Sequence, residues 1–413
     1  MAIWYAHSSN ANINAAGMWH THPIDNTPVD FATCDETVIL SANGKTGIRI
    51  NTSFICKELT TVTQINGSAG GYFQFTGKDM AGNPTGSVKI TGDVIGGTYG
   101  CIIFQEPANS TTPLEIEGDI SSSNNPALVF QSSAYVTVNG NVTGGYTNGI
   151  QMMSGGSPYL TITGDVTGSS MDAVEAVFNE ADDSTIVVNG NLTGGLGAAV
   201  TLSGAAINLI INGDVTGGAD SSGFGINVYG EGCQITINGT CQGSDYASSL
   251  CCEASTVYIE VEQAIGGDSE SYGLHFVNCD AYVTTQTAQG GSRGIGILTV
   301  NAPSNHITIT EAVIGGQTEA SYGFKAIGWL GVGAAVIKGN IIDTLHCNAY
   351  SGVVLIDNTD ANYFQLYHSS TGNPLRKFPL QLPAESVKKG VQHGNIVGSL
   401  APASPFRRLN RFV

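Results

Sequence analysis

Short stretches in which apolar and polar residues alternate recur along this chain at nearly constant spacing. One set comprises Val88 and Ile90, Val136 and Val138, Leu160 and Ile162, Ile235 and Ile237, and Ile307 and Ile309. Alternation with a period of two marks a strand with one buried face. A second set is opened by glycine: Gly100-Cys101-Ile102-Ile103, Gly149-Ile150-Gln151-Met152, Gly225-Ile226-Asn227-Val228, Gly273-Leu274-His275-Phe276, Gly294-Ile295-Gly296-Ile297 and Gly352-Val353-Val354. Between the sets stands a repeated phrase. It reads Val138-Asn139-Gly140-Asn141-Val142-Thr143-Gly144-Gly145, then Ile162-Thr163-Gly164-Asp165-Val166-Thr167-Gly168, and returns from Val188 and from Ile211. Its Gly-Gly mark steps through Ser122, Gly144, Gly168, Gly194, Gly217, Gly243, Gly266, Gly290 and Gly315, a period near 24 residues.

Two short strands and glycine-rich turns per period predict a solenoid; the 3.6-residue spacing of a helical repeat is absent. The expected fold is all-β: a right-handed, single-stranded parallel β-helix of roughly eleven coils of ~24 residues, stacked about 4.8 Å apart. Asp93, Asp119, Asp165 and Asp214 occupy one repeat position, and Asn141, Asn191 and Asn340 replace them elsewhere. Free exchange of Asp for Asn suits turn hydrogen bonding rather than acid–base chemistry. Residues 1–30 read as a lead-in, 31–85 as a cap with irregular first coils, 86–358 as regular coils, and 359–413 as an extended, proline-marked C-terminal extension. The solenoid counts as one domain.

Charge divides the chain. The net charge is −18. Residues 1–375 hold 8 Lys and Arg against 32 Asp and Glu, a balance of −24; residues 376–413 hold 7 against 1, a balance of +6. The basic residues Arg376, Lys377, Lys388, Lys389, Arg407, Arg408 and Arg411 are candidate docking residues for an acidic surface, such as a neighbouring copy. An acidic body argues against nucleic-acid binding. The N-terminus has neither the basic nor the apolar region of a signal peptide, and no stretch reaches the ~18 apolar residues of a membrane span. Synthesis in a cytoplasm is expected. The nine cysteines include the adjacent pair Cys251-Cys252 and no CxxC; they read as small core residues, with Cys34 and Cys56 one coil apart.

The candidate catalytic residues are Glu175, Glu180, Asp182 and Asp183, in an acidic segment that begins at Asp172. Carboxylates about 5–10 Å apart can act as acid and base or nucleophile on a glycosidic bond. They can equally bind a cation or solvate a turn. His20 and His22 share a face if extended, but a metal site needs a third ligand. No cofactor or metal is expected. Tyr99, Tyr272 and Tyr322 each precede a second-strand glycine and form either a sparse sugar-stacking stripe or turn covers.

Both ends carry a resemblance. Trp4-Tyr5-Ala6-His7-Ser8-Ser9-Asn10, followed by Val38-Ile39-Leu40-Ser41-Ala42-Asn43-Gly44, looks like the start of β-helical virion proteins of tailed bacteriophages. Leu382-Pro383-Ala384-Glu385-Ser386-Val387-Lys388-Lys389-Gly390-Val391-Gln392-His393-Gly394 resembles a P-x-x-S-V-R-x-G-V-x-Y-G segment common at the ends of such proteins, with Lys388 in place of the Arg and His393 in place of the Tyr. The resemblance implies a structural or adhesive virion part, often a homotrimer, with other virion proteins as partners, a host-surface glycan as a further one, and no membrane insertion. It carries over no catalytic residue. Tail fibre, tail spike and head fibre or capsid decoration stay open, with the tail preferred. The alternatives are a polysaccharide-degrading tailspike, glycosidase or lyase, and a bacterial surface adhesin, against which the missing signal peptide speaks.

Overall fold

The computed structural model describes side chains in residues 88–96, 101–104, 113–169, 175–221, 223–253, 256–301, 305–315 and 323–325, with Phe73 and Gln74. It also describes the backbone of short strands outside these ranges. The described residues contain strands and turns and no helix. Parallel strands stack into the expected β-solenoid of ~24-residue coils. The chain divides into two compact units, Met1–Ile237 and Asn238–Val413.

In the first unit each coil holds three strands, where sequence periodicity predicts two. The first ladder runs through Val88–Ile90, Pro113–Ile116, Tyr135–Val138, Tyr159–Ile162, Thr185–Val188 and Asn208–Ile211, all parallel. The second is a series of two-residue strands: Val94–Ile95, Ile120–Ser121, Val142–Thr143, Val166–Thr167, Leu192–Thr193 and Val215–Thr216. The third runs through Phe73–Phe75, Ile102–Phe104, Leu128–Phe130, Ile150–Met152, Val177–Asn179, Val200–Leu202 and Ile226–Val228. The Gly-Asp or Gly-Asn step is the corner between the first two ladders, and the Gly-Gly mark precedes the third.

The alternation is seen directly in burial. Leu160 and Ile162 are fully buried while Tyr159 and Thr161 are not. Inward residues lie in columns, so each coil adds a layer to one core. Phe104 and Phe130 stack ring on ring at 4.5 Å and 12° in such a column. Asn179 interrupts the same column between Met152 and Leu202. It is fully buried, donates Nδ2 to Ser184 Oγ at 2.7 Å and accepts from the Ala181 N–H at 2.8 Å. Its polar atoms are therefore satisfied inside the core.

In the second unit the first two ladders merge. Thr256–Ile265, Asp280–Gln289 and His306–Ile314 are single long strands in parallel register. These coils lack the Gly-Asp or Gly-Asn step, so nothing turns the corner. The next coil again has two strands, Ala334–Ile337 and Asn340–Ile342, and its sequence again carries Gly339-Asn340. A register shift between Thr285 and Thr287 marks where the corner has been lost. The buried Thr285 hydroxyl there lies 3.3 Å from the Glu262 carbonyl and 3.1 Å from that of Thr287. The third ladder of this unit comprises Leu250–Glu253, Tyr272–Val277, Ile295–Val300, Tyr322–Trp329 and Leu345–Ala349.

The ends depart from the repeat. Ala2–Ala6, within the expected lead-in, pairs in parallel with Thr37–Leu40 and antiparallel with Trp19–His20. Tyr363–Tyr367 and Pro374–Pro379 form an antiparallel pair, placing Arg376 opposite Leu366 and Lys377 opposite Gln365.

Candidate functional site

The recurrent acidic position forms a bonded column. Asp93 Oδ1 accepts the Asp119 N–H at 2.9 Å, and Asp119 Oδ1 accepts the Asn141 N–H at 2.7 Å. Asn141 Oδ1 accepts from Asp165 at 2.8 Å, Asp165 Oδ1 from Asn191 at 2.7 Å, and Asn191 Oδ1 from Asp214 at 2.9 Å. Each side chain spans to the next coil rather than closing its own turn. Every link runs through the Oδ1 that Asp and Asn share, which is why the two interchange, and Asn141 Nδ2 adds a donation to Asp119 Oδ1 at 3.1 Å. Asp165→Asn should therefore leave the urea midpoint nearly unchanged, whereas Asp165→Ala should cost about 1 kcal/mol. Equal losses in the two variants would refute the column.

The acidic segment splits in two. Asp172 lies outside the described residues. Glu175 precedes the strand Val177–Asn179, and Glu180, Asp182 and Asp183 follow it. The three-residue strand thus stands between the Glu175 and Glu180 backbones. Asp182 and Asp183 are exposed on the corner into the next strand. Asp182 Oδ1 accepts the Ala205 N–H at 2.7 Å, and Asp183 takes a left-handed conformation with φ of 51°. Glu175 is different. It is half-buried, its N–H donates to Asn148 Oδ1 at 3.2 Å, and its Oε1 accepts from Thr201 Oγ1 at 3.1 Å. Burial raises its carboxyl above the usual carboxylate range, partly offset by hydrogen bonds from its backbone and from Thr201.

Other candidates distribute as follows. Tyr272 and Tyr322 share a ladder position but are separated by Ile295, so they form no continuous stripe. Tyr272 makes an edge contact with His275 at 4.8 Å. Tyr99, the His22 position, Lys388, Lys389, Arg407, Arg408 and Arg411 lie outside the described residues, as do the side chains of His20, Arg376, Lys377, Cys34 and Cys56. Cys101, Cys233, Cys241, Cys251, Cys252 and Cys279 are buried thiols of the core. Cys251 Sγ lies 3.6 Å from His275 Nδ1. Burial pushes the thiol up to about 12 and the imidazole down to about 4, so the pair is neutral and not an activated thiolate. Among the described residues no cluster of His, Cys, Asp and Glu is arranged to hold a metal ion, and no helix is long and apolar enough to cross a membrane.

Two aromatic stacks have no counterpart among the sequence candidates. Tyr135 stacks on Tyr159 at 5.5 Å; Tyr258 stacks on Tyr282 at 5.0 Å, and Tyr282 on His306 at 4.9 Å. Each residue takes an outward position flanked on both sides by buried residues, such as Val257 and Ile259 around Tyr258 and Ala281 and Val283 around Tyr282. The rings cover one another's faces, so their contribution is first to coil stacking.

The fold defines the class, a parallel β-solenoid with an acidic body. No family model, no curated protein and no solved structure matches the chain.

Proposed function

We propose that this chain is a structural and adhesive component of a bacteriophage virion. It would be a tail fibre, tail spike or tail-associated protein that docks through its ends and presents a rigid, right-handed β-helix to the host surface. The observation that supports this best is the hydrogen-bonded column from Asp93 to Asp214. It ties each of these coils to the next, which suits a rigid presenting rod. The resemblance of both ends to phage virion proteins supports the same reading, and leaves a head-fibre or decoration position as its variant. Other virion proteins and copies of the chain, as a trimer, are the expected partners. The test uses the full chain with Arg376, Lys377, Lys388, Lys389, Arg407, Arg408 and Arg411 replaced by glutamine. The protein should fold with unchanged circular dichroism and fail to enter particles; incorporation at the wild-type level would overturn docking through the basic end.

Glu175 favours a second reading, glycan cleavage. A general acid needs a carboxyl raised by burial, and Glu175 has one. Loss of oligosaccharide release in Glu175→Gln supports this reading, while a wild-type protein inert on host capsule and lipopolysaccharide removes it.

A further inference from the structure

Two features stand without a role: the stacked rings of the second unit and the proline-marked basic end. Tyr258, Tyr282 and His306 form one column across three coils, with ring centroids 5.0 and 4.9 Å apart. All three are exposed, Tyr258 at 46% and Tyr282 at 39%. Two residues along each strand, Glu260, Thr284 and Thr308 form a second outward column in register with the first, about 7 Å away. The two columns leave a groove parallel to the solenoid axis. Aromatic rings wall one side; a carboxylate and two hydroxyls wall the other. Glu260 and the nearby Glu262 are exposed and make no ion pair among the described residues. The three long strands that carry the groove contain no Lys or Arg. The Tyr135–Tyr159 stack lacks this free charge. Beside it stand Thr137 and Thr161, and the next residue of that column, Glu115, is held by Lys89 at 3.3 Å.

The far end of the chain supplies an occupant. Pro402-Ala403-Ser404-Pro405-Phe406-Arg407-Arg408 lies outside the described residues, and its sequence is a P-x-x-P followed by two arginines. Such segments favour the polyproline II helix and dock on aromatic-lined grooves. The spacing agrees. Three residues of polyproline II rise about 9.3 Å, and two coil steps rise about 9.6 Å. Pro402 and Pro405 therefore match the levels of His306 and Tyr258. Charge agrees as well, since residues 376–413 carry +6 and the rest of the chain −24. The geometry points to docking of this segment, from a second copy of the chain, in the groove. The prolines pack against the rings, and the arginines meet Glu260 and Glu262.

This inference rests on docking through the basic end and names the surface that receives it. Full-length proteins are compared by sedimentation. Wild type should associate. A tail variant with Pro402→Ala, Pro405→Ala, Arg407→Gln and Arg408→Gln, and a face variant with Glu260→Gln and Glu262→Gln, should each associate at least tenfold more weakly with unchanged circular dichroism. Mixed together, the two should associate more than either alone, because each supplies the half that the other lacks. Pro402→Ala with Pro405→Ala keeps every charge and should weaken association too. A monomeric wild type, or a face variant that associates like wild type, overturns the inference. Association untouched by the proline changes reduces the contact to charge and overturns the groove. A mixture no more associated than its parts overturns docking between copies. Entry into particles tests the wider reading separately. If wild type does not associate but the glutamine variant of the basic end is still excluded from particles, the groove falls and docking through that end stands. If copies associate through the groove while that variant enters particles at the wild-type level, the groove stands and the wider reading falls.

Discussion

Replacing Phe130 by alanine should lower the unfolding free energy by about 4 kcal/mol. The ring is fully buried and lies flat on Phe104 at 4.5 Å. Its column continues to the fully buried Met152 in the next coil. In a solenoid each coil touches only its neighbours, so no distant element can move in to fill the void. The loss therefore combines the transfer cost of the ring with a cavity that stays open. It should also be local. Amide exchange should accelerate in Ile102–Phe104 and Ile150–Met152 before it does in Asn208–Ile211, whose coil is several layers away. Phe130→Leu keeps most of the volume and should lose much less. A Phe130→Ala protein within about 1 kcal/mol of wild type would mean that the core collapses around the site, contrary to nearest-neighbour packing.

The architecture was legible because it is written more than once. Inward pairs such as Leu160 and Ile162 recur every coil, and a signal repeated at fixed spacing outweighs the ambiguity of any single copy. The short second strand of each coil was not legible. Val166–Thr167 spans two residues, too few for alternation to register. It is set apart only by the corner at Gly164-Asp165, and the same logic explains why the coils without that step run straight through. The Asp/Asn position was correctly read as structural, but its partner is a backbone N–H one coil away, which no local turn rule supplies. The candidate site was less visible still. Acid density drew attention to Glu180, Asp182 and Asp183, which lie on a corner. The setting of Glu175 depends on Asn148 and Thr201, neutral residues 27 and 26 positions away. Such contacts have no sequence signature, because they are relations between coils.

That relation between coils gives the second large effect. Gly190→Ala should cost about 3 kcal/mol, more than deleting the neighbouring side chain of Asp165. A Cβ at Gly190 would stand 2.5 Å from the Gly164 carbonyl carbon and 2.6 Å from Asp165 Oδ1, both in the coil below. Neither can yield cheaply. The Gly164 N–H donates to the Gly140 carbonyl at 3.1 Å, and Asp165 Oδ1 holds the Asn191 N–H at 2.7 Å. The methyl group would have to pry one coil from the next at the corner where the column is made. A double-mutant cycle separates the two obstacles. Asp165→Ala removes the carboxylate but leaves the Gly164 carbonyl in place, so the double variant should lose less than the sum of the single losses yet remain well below Asp165→Ala alone. Strict additivity would mean that the carboxylate is no obstacle. A Gly190→Ala protein no less stable than Asp165→Ala would mean that the glycines serve chain flexibility during folding, and that the corners are not held by contact between coils.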